Sequence, residues 1–133
     1  MANTGGLLML GWICMWPTTA GFWRATFAGM LGAGATAWLL GAPNTVHIGA
    51  SGLVFAYAGY LVARGWYARN FLSALVAMFV AASYGVSMLF GVLPLVPGIS
   101  WQSHLGGALA GVLAARATTR VSRADLRTRA LRA

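Results

Sequence analysis

Val46-His47-Ile48-Gly49-Ala50-Ser51-Gly52-Leu53-Val54-Phe55 sets one small hydroxyl, Ser51, between glycines at the mouth of a long apolar run. The run continues to Ala63 and stops at Arg64. A segment of this character belongs in lipid, where every backbone group must find its partner internally, so it reads as a helix. Outward from it the pattern repeats. Apolar segments run over about 3–16, 22–40, 71–93 and 99–115, separated by Pro17-Thr18-Thr19, Gly41-Ala42-Pro43-Asn44, Arg64 to Asn70, and Pro94 to Gly98. The chain therefore reads as an all-α polytopic membrane protein, with a transmembrane domain over 1–115 and a basic tail over 116–133.

Composition agrees. Of 133 residues, 59% are hydrophobic and 8% charged, against about 25% charged in a soluble domain. Mean hydropathy is +0.75. Nine arginines face a single acid, Asp125, for a net charge of +8. Arg24 stands at the very start of the second span, Arg64 and Arg69 lie between the third and fourth, and the other six follow the fifth. With five alternating spans all nine fall on one side, which the positive-inside rule makes cytoplasmic. The tail arginines repeat at spacings of 4, 3 and 4 through Arg127. They form a basic juxtamembrane face suited to anchoring topology and to anionic lipid headgroups. The expected location is the cell membrane, with the C-terminus cytoplasmic, and no nucleic-acid partner is expected. Cys14 is the single cysteine. It can close no internal disulfide and reads as a small packing residue.

In this topology the third and fifth spans both dip in from the arginine-free side. Ser51 and His104 each fall about one turn below that rim. Gly52, Ala56 and Gly59 on one span, and Gly107, Gly111 and Ala115 on the other, let the helices approach closely. His104 is the ionisable residue inside the spans away from the arginines, and intramembrane ionisable groups are functional candidates. An imidazole can serve as general base, and a serine hydroxyl needs such a base to become a nucleophile. The sole carboxylate sits in the tail, so any such site is a Ser-His dyad without an acid. Backbone N–H groups at Ala50 and Ser51, and the Asn3 amide at the same rim, could bind an oxyanion. His47 is an alternative base, one turn before Ser51. Packing without catalysis is the competing account of all these residues, and a small channel or transporter subunit is a third possibility.

Gly49-Ala50-Ser51-Gly52 resembles the GxSG motif of the rhomboid intramembrane serine proteases. Ser103-His104-Leu105-Gly106-Gly107-Ala108-Leu109-Ala110-Gly111 resembles their last core helix, where the catalytic histidine precedes a GxxxG. Ala2-Asn3-Thr4 through Leu10-Gly11 resembles their second core helix, whose HxxxN motif ends in an oxyanion-binding asparagine. The resemblance implies a rhomboid-like helical bundle with about five of the family's six core helices present. It implies Ser51 as nucleophile and His104 as base. Asn3 with the Ser51 and Ala50 backbone would hold the oxyanion, and Gly49, Gly52, Phe55, Gly107 and Gly111 would support the site. Phe55 stands where many members stack a tyrosine on the histidine, and Ser103 where they carry alanine. Segment 71–93 would be a mobile gate and 94–100 a cap. The implied activity is a serine endopeptidase cleaving transmembrane segments of membrane proteins, with no metal or cofactor. The alternative is a catalytically inactive, N-terminally shortened relative that binds membrane helices. On this alignment the motif histidine and the first core helix would precede Met1, which implies either a start upstream of Met1 or a naturally shortened form.

Overall fold

The computed structural model describes residues 2–43, 50–95 and 97–132. Among these, five helices and no strands occur: α1 (Ala2–Cys14), α2 (Thr19–Leu40), α3 (Ser51–Ala68), α4 (Phe71–Gly91) and α5 (Trp101–Ala130). The chain runs up and down. Gly6 on α1 packs beside Val54 on α3, and Gly11 beside Tyr57, so these two helices run parallel. Gly32 and Thr36 on α2 meet Ala110, Gly106 and Gln102 on α5 in antiparallel order. Gly65 on α3 abuts Ser73 and Ala77 at the start of α4, while Phe55 abuts Gly91 at its end. One end of the bundle thus gathers the starts of α1, α3 and α5. The nine arginines lie at the opposite end or on the part of α5 that extends beyond it.

The core is the central helix. α3 buries a continuous stretch from Val54 to Leu61, joined by Leu10, Cys14, Ala25, Val80, Ala114 and Ala115. Its largest interface is with α5, followed by that of α2 with α5. Glycine makes this possible. A side chain at Gly107 would strike the Gly52 carbonyl, and one at Gly111 would strike the Ala56 carbonyl. Small residues at four-residue spacing let these backbones touch. Polar ties pin the seams: Thr26 Oγ1 lies 2.8 Å from the Tyr57 hydroxyl, and Thr36 Oγ1 donates to the Gln102 carbonyl at 2.8 Å.

One expectation needs correction. The third and fifth apolar segments stop before Arg64 and Arg116, yet α3 continues through Arg64 to Ala68 and α5 through about four further turns, with five arginines, to Ala130. Arginine is a strong helix former, so the helix outlasts the apolar pattern. At 30 residues α5 spans about 45 Å, beyond the roughly 30 Å of a bilayer core. Where α3 does stop, Arg69 turns left-handed at φ 52° and the Asn70 side chain accepts from the Ser73 N–H at 2.9 Å, capping α4.

Of the five expected spans, one among the described residues, α4, is both long and apolar enough to cross a membrane by length and composition. α1 has 13 residues, about 20 Å of helix. α2, α3 and α5 carry the Gly, Thr, Ser and Tyr that make the seams, which lowers their hydropathy. Large apolar side chains nevertheless point outward around the bundle, among them Trp12, Leu31, Trp38, Phe71 and Leu113. An apolar exterior of this extent belongs against lipid rather than water.

Candidate active site

The site is built where α3 and α5 begin. Ser51 is the first residue of α3, with Ala50 as its N-cap. It therefore stands at the helix mouth rather than a turn inside it. His104 is the fourth residue of α5 and is 6% exposed. Gly52, next to Ser51, lies against the Ser103 carbonyl, next to His104. This close seam sets the two side chains face to face, with Ser51 Oγ 2.8 Å from His104 Nε2.

The other ring nitrogen fixes the proton. His104 Nδ1 lies 2.9 Å from the Gly91 carbonyl at the end of α4. A carbonyl can only accept, so in the neutral ring Nδ1 carries the hydrogen and Nε2 presents its lone pair. Ser51 Oγ–H then donates to Nε2. Phe55, one turn along α3, stacks on the imidazole with centroids 4.0 Å apart and planes 7° from parallel. The ring is held at both nitrogens and on one face.

The helix start adds a second property. The first N–H groups of α3, at Ser51 and Gly52, have no acceptor within the helix, and the positive end of the helix dipole lies there. Negative charge developing beside Ser51 would meet these donors. A serine hydroxyl, an imidazole and an electropositive helix end therefore share one place. Asp125, the sole carboxylate, pairs with Arg129 at 3.2 Å on the far extension of α5 and takes no part.

The remaining expected residues divide. Gly107 and Gly111 form the α3–α5 seam with Gly52. Asn3 is exposed in the first turn of α1. It lies three residues before Gly6, as Ser51 lies three before Val54 on the parallel helix, so the two share a level. Among the described residues no hydrogen bond joins Asn3 to the Ser51–His104 pair. Gly49 and His47 lie outside the described residues. The Gly91 carbonyl went unforeseen, since a backbone acceptor leaves no mark in a sequence. The one signal was a glycine closing an otherwise bulky apolar segment.

A helical bundle with an apolar exterior and a serine–imidazole contact at one end defines the class: a helical membrane protein. A family model for the Rhomboid domain matches residues 1–121. The chain belongs to the rhomboid family, a family of membrane proteins that are in general intramembrane serine proteases. It is similar to uncharacterized proteins of Mycobacterium bovis and Mycobacterium tuberculosis, each 38% identical over 124 residues, covering 86% of this chain and 51% of theirs. An uncharacterized protein of Mycobacterium leprae is 36% identical over 141 residues, covering 99% of this chain and 54% of its own. The chain spans about half the length of these relatives. No solved structure matches.

Proposed function

We propose that this chain carries an intramembrane serine endopeptidase site that cleaves transmembrane segments of other membrane proteins. The observation that carries the reading is the 2.8 Å contact between Ser51 Oγ and His104 Nε2 at a helix start, with the ring oriented from its far nitrogen. Ser51 Oγ attacks the scissile carbonyl as His104 Nε2 takes its proton. The Ser51 backbone N–H, with the Ala50 peptide and the Asn3 amide, holds the oxyanion. His104 returns the proton to the leaving amine as the C–N bond breaks. Water, deprotonated by the same nitrogen, then frees the acyl group and restores the hydroxyl. This is a dyad mechanism, without a carboxylate behind the histidine.

The protein sits in the cell membrane as a multi-pass bundle with its arginine end in the cytoplasm. Residues 1–115 form the membrane domain and 116–133 the cytoplasmic extension. On the helical face that carries Arg116, Arg120, Arg123 and Arg127, anionic headgroups are the natural partners.

The test is cleavage of a reporter transmembrane segment in proteoliposomes. Wild-type protein is expected to cut it, and Ser51→Ala and His104→Ala each to lose the activity. Cleavage that survives Ser51→Ala refutes the nucleophile. Wild-type protein that binds the reporter without cutting it favours the inactive, helix-binding alternative.

A further inference from the structure

The imidazole is oriented by a helix that otherwise barely touches its own. α4 and α5 share the smallest of the helix interfaces. The first half of α4 is anchored on α3, where Gly65 admits Ser73 and Ala77 and where Val80 is fully buried. Its second half carries exposed Val86, Leu89 and Phe90 before the chain returns inward at Gly91, which is buried. There the helix makes its contact with the site. The Gly91 carbonyl accepts from His104 Nδ1. A Cβ at Gly91 would run into the Phe55 ring and lie 3.1 Å from His104 Nδ1. Glycine is what this approach demands.

We propose that the last turn of α4 is the positioning element of the base: the Gly91 carbonyl selects the Nδ1–H form of His104 and so leaves Nε2 free for Ser51. The residue acts through His104 and does not touch substrate. It fills the role that a carboxylate fills in a triad, orienting the ring and fixing its tautomer, without adding a buried charge. Because the acceptor belongs to α4 and the base to α5, reactivity at Ser51 follows the seating of the α4 end. The inference rests on the proposed dyad, but its first measurement is independent of activity.

That measurement is the ring-nitrogen NMR spectrum of isotope-labelled histidine in the full chain in nanodiscs, with the His104 signals assigned by their loss in His104→Ala. Wild-type His104 is expected as the neutral Nδ1–H tautomer. The Nε2–H tautomer would overturn the inference, whether or not the protein cleaves anything. The second measurement is the rate at which a fluorophosphonate labels Ser51. Gly91→Ala must push the helix end away. It is expected to lower that rate on the order of 100-fold, the scale of an ångström misplacement, and to mix the His104 tautomers. Gly85→Ala is the control, since nothing lies within 4 Å of its added methyl. It should match wild type in rate and spectrum. A Gly91→Ala protein with wild-type rate and unchanged ring signals contradicts the proposal. Should that variant not fold, the wild-type tautomer still decides. Wild-type protein that shows the Nδ1–H ring but takes no label refutes the protease reading and leaves the positioning geometry standing.

Discussion

Phe55 lies flat on the His104 ring, and the two nitrogens of that ring are engaged by Ser51 and Gly91. The stack has an electrostatic as well as a steric side. When the imidazole takes the serine proton it becomes a cation over an aromatic face, which is favourable in a desolvated place. Phe55→Leu keeps an apolar side chain there but removes the π face and part of the packing. We expect labelling of Ser51 to slow about 10-fold, with the thermal midpoint lowered only modestly; an unchanged rate would reduce Phe55 to filler. At this scale the sequence was most informative where chemistry needs a particular side chain. Ser51 stood out as a hydroxyl among glycines, and His104 as an ionisable group in an apolar run. The Asn3 amide was equally visible, but its exposure in the first turn of α1 could not be read from residue types. The backbone acceptor at Gly91 lay wholly outside what residue types encode.

At the scale of helices, the site depends on the seam between α3 and α5. Gly111 faces the Ala56 carbonyl, and a Cβ there would also fall 2.9 Å from the Tyr60 nitrogen. Both obstacles are backbone, which cannot swing aside. Gly111→Val is expected to cost about 1–3 kcal/mol or more through overpacking, and to separate Ser51 from His104 by splaying the helix starts. Gly34→Ala, on an exposed position of α2 with nothing within 4 Å, should stay within about 0.5 kcal/mol of wild type. Thermal melts in detergent compare the two, and equal midpoints would refute the close-seam account. This seam was legible in advance because small residues at four-residue spacing have one main use in membrane helices. The helix ends were less legible. Hydropathy marks where a chain leaves lipid, whereas helix propensity and capping decide where it stops being a helix. That difference carried α5 to Ala130 and placed Ser51 at the first position of α3.

For the whole molecule, charge and topology agree. The up-down order sets Arg24, Arg64, Arg69 and the arginines of α5 at or beyond the end away from Ser51. Two of them brace that end: Arg64 donates to the Trp16 carbonyl and Arg123 to the Tyr67 carbonyl. A fluorescent protein that matures only in the cytoplasm, fused after Ala133, should be bright, and a periplasm-dependent phosphatase fused there inactive; the reverse pattern would contradict the orientation. Replacing Arg116, Arg120, Arg123 and Arg127 together by Gln should weaken retention of anionic lipid in purified protein while leaving the helical content near wild type. The all-helical class was readable from composition and segment length. The count of spans rests on the charge pattern more than on hydropathy, because the glycines, serines and threonines that join the helices also lower the hydropathy by which a span is recognised.

The claim that His104 makes Ser51 nucleophilic stands or falls with where a fluorophosphonate forms its adduct. Peptide mass spectrometry of the labelled wild-type chain is predicted to find the adduct on Ser51, with labelling lost in His104→Ala. An adduct on another residue, or Ser51 labelled as fast without the imidazole as with it, would contradict the claim.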